Sequence, residues 1–170
     1  MSVRRVVTGK VGGKSKIVSD GGTRRSRAFK NIPGQSAALL WSTSAAPAAP
    51  GDGADIISEK SSYLPQQPGE IRLMLVTFAP DSVMMSIDPA AGFQEFAEHV
   101  PDLAAAMEPD SPGMHTTQTI DYGIVLEGEV GTVHATRSPV DPMGEAESFS
   151  GGGQNRHART VGSQQLAAAP

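Results

Sequence analysis

The chain has 170 residues, no cysteine and a formal net charge of −4. That length fits one domain with its own core. Without cysteine there is neither a disulfide framework nor a thiolate metal site. No apolar run approaches the ~20 residues that span a bilayer. Arg4 and Arg5 are followed by no apolar stretch, which argues against a secretory signal. The expectation is a cytoplasmic protein with no membrane partner.

The charge is unevenly placed. Nine of the fourteen basic residues fall within residues 1–30, against one acid, Asp20. A basic arm suggests nucleic-acid binding, but no aromatic residues are interleaved and the total is acidic, so no nucleic-acid partner is expected. Nineteen glycines and thirteen prolines favour a turn-rich β protein with long loops.

Residues 3–8 and 15–19 read as two short strands around the turn from Lys10 to Lys14. Gly13-Lys14-Ser15 invites a phosphate-loop reading, yet that motif needs a glycine where Thr8 stands. Residues 27–32 and 36–43 are further strands, separated by Pro33-Gly34. Trp41, the single tryptophan, suits either a core anchor or the wall of a ligand pocket. Residues 44–69, rich in Ala, Pro, Gly and Ser, read as a long exposed loop or mobile segment. The run at 70–78 is the most apolar in the chain and too short for a buried helix, so it reads as a buried strand.

Residues 88–107 are the helical stretch. Asp88 caps it and Pro89 suits its first position. Phe93, Phe96, Val100, Leu103 and Met107 recur at spacings of three and four, which makes one apolar stripe. Pro101 splits the stretch into helices at 90–99 and 102–107. The stripe is expected to cover an opening or edge of the sheet, as a candidate lid. His99, beside the break, reads as a surface or capping residue.

The chain is organised around residues 113–130. Residues 119–126 are β-branched and apolar, and Glu127-Gly128-Glu129 follows, so a strand ends in a turn with a second strand expected from Val130. In extended backbone His115, Thr117, Thr119 and Asp121 share a face, with Gln118 and Tyr122 on the other. One imidazole, one carboxylate and two hydroxyls then make the best candidate binding site in the chain.

This run resembles the first motif of the cupin superfamily, in which a glycine precedes His-x-His-x-x-x-Glu and six residues separate the glutamate from a closing glycine. His115 matches the first histidine, Thr117 the second, Asp121 the glutamate and Gly128 the closing glycine. Two of those three ligand positions are changed. The longer pattern, with Arg4-Arg5-Val6-Val7-Thr8-Gly9, Val18-Ser19-Asp20-Gly21, Ile32-Pro33-Gly34 and Leu39-Leu40-Trp41, is similar to small single-domain cupins of bacteria and fungi, some encoded with secondary-metabolite pathways. The resemblance covers residues 3–130. Beyond it, only Gln154-Asn155-Arg156-His157-Ala158 is similar to the second cupin motif, and its usual Gly-Thr pair and following tryptophan are missing. Residues 131–170 therefore read as a degenerate or disordered tail, of the kind left by a retained intron, a shifted frame or decay.

The resemblance implies an all-β, double-stranded β-helix (jelly-roll) barrel over 1–130 with a short helical insert, incomplete at the C-terminus. It also implies a small-molecule-processing enzyme, an oxidoreductase or tailoring enzyme of polyketide-type secondary metabolism. The residues it singles out are His115 and Asp121 for catalysis. For a divalent Fe, Mn, Ni, Cu or Zn ion they are His115, Asp121 and His157, with His134 as substitute. Two alternatives stand beside it: metal-free acid–base chemistry by His115 and Asp121, as in an isomerase or cyclase, and a non-catalytic binding protein. The expected partner is a small molecule, with a homodimer as the assembly open to it.

Overall fold

A computed structural model describes residues 3–46, 54–110, 114–130 and 158–166. Within them the chain is mostly strand, in antiparallel sheets, with few helices. The expected second strand after Val130, and the candidate ligands His134 and His157, lie outside the described residues.

Strands β1 (Arg5–Val11) and β2 (Lys14–Gly21) form a two-stranded hairpin. Its turn is Gly12-Gly13, with φ of 58° and 80°. Two consecutive positive φ values give the turn whose twist matches that of paired strands, and glycine takes them without a Cβ clash. Arg5 ties the hairpin to the body through two bonds to Asp55, at 2.9 and 2.5 Å.

The second sheet has the order β3-β4-β5-β7-β6. Strand β3 (Ser26–Ala28) is shorter than the expected 27–32, because Phe29 and Ile32 leave the ladder for the core. Strand β4 (Ser36–Thr43) matches its expected bounds. Strand β5 (Ile71–Phe78) lies between β4 and β7 and buries residues on both faces, as its unbroken apolar run requires. One β4 residue is unmatched between Leu39, opposite Met74, and Trp41, opposite Leu73. This bulge turns Leu39 and Trp41 to opposite faces.

The face bearing Leu39 and Met74 holds the core, with Phe29, Ile32, Ile57, Tyr63 and Val100. Burying each such side chain stabilises the fold by about 1.5–3 kcal/mol. Two of them, Ile57 and Tyr63, come from the segment expected to be an exposed loop. Residues 54–69 are irregular, yet Ile57 is 0% and Tyr63 1% exposed. Arg25 holds this segment down: Nε donates to the Ser61 carbonyl and Nη2 to the His99 carbonyl, both at 2.9 Å, and the guanidinium lies 4.6 Å from the centre of the Tyr63 ring.

Helices α1 (Asp81–Met84), α2 (Pro89–His99) and α3 (Pro101–Ala105) follow β5. The Asp88 carboxylate accepts from the Ala90 N–H at 2.9 Å, and Pro101 opens the second piece of the helical stretch as expected. The inward face differs from the expected stripe. Phe93 is 53% exposed, while Gly92 and Glu95 are buried beside the half-buried Phe96. The reason is polar: Glu95 accepts the backbone N–H groups of Lys30 and Asn31 at 2.8 and 2.6 Å. That grip rolls α2 until Gly92 sits on Ile32 and Ile87, where a Cβ would lie 3.3 Å from each.

Strand β6 (Thr119–Glu127) forms one edge of this sheet, opposite β3, and β7 (Ala158–Leu166) separates it from β5. The segment read as a tail thus contributes β7. No helix among the described residues is long and apolar enough to cross a membrane.

Candidate functional site

The expected strand is present, but it begins at Thr119. The backbone bends at Gln118, so the alternation of faces holds from Thr119 to Val125 and does not extend back to His115. Residues 114–116 are instead fastened to the exit of α3. Met107 and His115 form an isolated antiparallel bridge. The Glu108 N–H donates to the Met114 carbonyl at 2.8 Å, the Thr116 N–H donates to the Ala106 carbonyl at 3.3 Å, and the Thr116 hydroxyl donates to Glu108 Oε1 at 2.7 Å. Thr117 and Thr119 share a hydroxyl–hydroxyl hydrogen bond of 2.5 Å across the bend. The strand ends at Gly128, whose φ of 80° makes the turn.

His115 and Asp121 are both exposed, one before the bend and one on β6. Tyr122, on the other face of the strand, is 65% exposed. Among the described residues no three His, Asp or Glu side chains are grouped to hold a metal ion. The third donor of the expected set, His157, and its substitute His134 lie outside the described residues.

Two concave places lie elsewhere. A cavity of about 380 Å³ is lined by Lys30, Asn31, Gln94, Glu95, Glu98 and His99. Burial alone would raise the Glu95 carboxyl, but the donations from Lys30 and Asn31 outweigh it and hold the group below its ordinary value. Both Glu95 oxygens are engaged by backbone, so this acid positions α2. A second cavity, of about 390 Å³, lies between β1 and the sheet, with Val6, Val7, Leu40, Trp41 and Leu73 in its lining. Trp41 lines this cavity. His99 is half-buried, with its ring centre 6.2 Å from that of Phe29.

Sequence reasoning missed the acids that staple the irregular segments. The Asp102 carboxylate accepts from the Ser62 hydroxyl at 2.5 Å and the Leu64 N–H at 2.7 Å. Asp55 answers Arg5, whose hydrogen bond holds the carboxyl below its usual range. Burial pushes the Tyr63 hydroxyl up, against the pull of Arg25. The one available signal was an acid inside an apolar stripe: Glu95 stands between Phe93 and Phe96.

No protein-family model matches the chain, and no curated protein is significantly similar to it.

Proposed function

We propose that the chain is a small-molecule-processing protein of the cupin type, a cytoplasmic oxidoreductase or tailoring enzyme acting on polyketide-type substrates. What supports this reading is the match between the motif and the local backbone. The motif asks for a strand closed by glycine, and β6 runs from Thr119 to Glu127 and turns at Gly128 with φ of 80°. The antiparallel sheet is compatible with a jelly-roll barrel.

In this reading the His115 imidazole takes a proton from one atom of the substrate and gives it back at another, while the Asp121 carboxylate stabilises the imidazolium in between. Both are accessible to a molecule arriving at the start of β6. The metal form of the reading requires His157 as a third donor to a divalent Fe, Mn, Ni, Cu or Zn ion, whose supply would be Lewis-acid or redox chemistry. A metal-free isomerase or cyclase, in which His115 and Asp121 alone carry the acid–base chemistry, is the second reading.

Purified protein, His115→Ala and Asp121→Asn are compared for metal content and for turnover of aromatic aldehydes and polyketide-like phenols. The metal form predicts bound metal that His115→Ala loses. The metal-free form predicts turnover that chelators leave intact and Asp121→Asn abolishes. Saturable binding without turnover would make the protein a binder. If neither substitution changes metal content, turnover or binding, the site is not at β6.

A further inference from the structure

The cavity between the hairpin and the large sheet has two unlike walls. Arg5 and Val7 share one face of β1, and that face turns inward: Val7 is 6% exposed and Arg5 reaches Asp55. Across the cavity stand Trp41 and Leu73, paired in register on β4 and β5 and so on one face of the sheet, with Leu40, the unmatched residue of the bulge. Aliphatic side chains and a half-buried indole thus make much of the lining. The polar feature is Arg5. Nη1 and Nη2 are both taken by the Asp55 carboxylate, which fixes the plane of the guanidinium, and the side chain is 10% exposed. The remaining nitrogen, Nε, is buried and has no hydrogen-bond partner. Among the described residues Thr43 Oγ1 alone shares that condition.

A buried donor left unpaired destabilises the fold, and an acceptor on a ligand removes that cost. We propose that this cavity binds an uncharged, flat molecule with a carbonyl group, its ring against Trp41 and its carbonyl oxygen accepting from Arg5 Nε. The volume of about 390 Å³ lies within the range of small-molecule sites, which are largely apolar hollows with a few placed polar groups. The charge state of the ligand follows from the ion pairs. Asp55 neutralises Arg5, and Asp20 neutralises Arg4, which also lines the cavity. No surplus positive charge is left to hold a carboxylate, and the Asp55 oxygens beside the guanidinium repel one. An indole packs best on another flat ring, offset or edge to face. His115 and Asp121 take no part in this lining, so the inference does not rest on the chemistry proposed for them.

Calorimetric titration of the full chain with acetophenone, ethylbenzene and benzoate tests it. The three share a ring and a similar size; the first carries a neutral acceptor, the second none and the third a charged one. Trp41 is the single tryptophan, so a saturable change in its emission places the ligand. The expected result is saturable binding of acetophenone, with ethylbenzene and benzoate each about tenfold weaker, the difference one hydrogen bond makes. Arg5→Lys keeps the charge beside Asp55 but removes the Nε donor, and should bring acetophenone down to the affinity of ethylbenzene. Trp41→Leu should weaken both about tenfold and leave their ratio intact. Far-UV circular dichroism checks that each variant is folded; should Arg5→Lys unfold, the ratio in the unaltered chain and in Trp41→Leu still reads the contact. Absence of saturable acetophenone binding up to its solubility limit overturns the proposal. So does equal affinity for acetophenone and ethylbenzene, which would leave Nε to water, tighter binding of benzoate, or Trp41 emission that does not respond at saturation.

Discussion

At the scale of the residue, the fold depends on carboxylates that receive backbone N–H groups far away in sequence. Glu95→Ala leaves the Lys30 and Asn31 donors without a partner, at a cost of about 2–3 kcal/mol, read from the chemical-denaturation midpoint. The same contact is acid-sensitive. The folded-state carboxyl is held below its ordinary value, so its contribution is complete above that value and is lost as pH falls through the lowered one. Asp55 and Glu70 shift in the same direction, Asp55 through Arg5 and Glu70 first through the Gln66 N–H. Stability should therefore fall steeply in acid, and less steeply for Glu95→Gln, as measured by thermal unfolding across that pH range. Asp55→Asn is the harsher change. Its side chain and that of Arg5 are 11% and 10% exposed, and the substitution strands a buried guanidinium at a cost of about 3 kcal/mol by the same denaturation assay.

At the scale of the element, Asp88→Ala removes the α2 cap and should lower stability by about 1 kcal/mol in urea unfolding, with no change in the far-UV spectrum of the native state. That cap, the break at Pro101, the bounds of β4 and the run of β5 were all legible in the sequence, because each is set by local chemistry. What was illegible depends on distant partners. Spacing places Phe93 and Phe96 near one another on a helix but does not say which side the body lies on; the Glu95 contacts with Lys30 and Asn31 decide that. The composition signals irregular backbone correctly over 54–69, yet it carries no sign that Ile57 and Tyr63 turn inward under Arg25. At the candidate site, β6 and the Gly128 turn were readable, and the bend at Gln118 was not. Nothing in Thr117 or Thr119 alone announces that their hydroxyls bridge a bend.

At the scale of the molecule, the large sheet carries the helices and the 54–69 segment on one face and approaches the hairpin on the other. Strand β5 has neighbours on both edges and buried side chains on both faces, whereas β6 has one neighbour and is exposed along its length. Hydrogen exchange should therefore be slowest at β5 amides, near the rate set by global unfolding, and much faster at β6, as read by mass spectrometry of fragments covering each.

The sheet order has one more implication. The strand between β5 and β6 is the last of the described strands in chain order, so both of its neighbours are synthesised before the piece that joins them. Until Ala158–Leu166 arrives, Ile71–Phe78 and Thr119–Glu127 lack, among the described strands, the neighbour that lies between them. Completion of the sheet is thus a late, long-distance closure, and a nascent chain halted shortly before Ala158 would carry both neighbours without the strand that pairs with them.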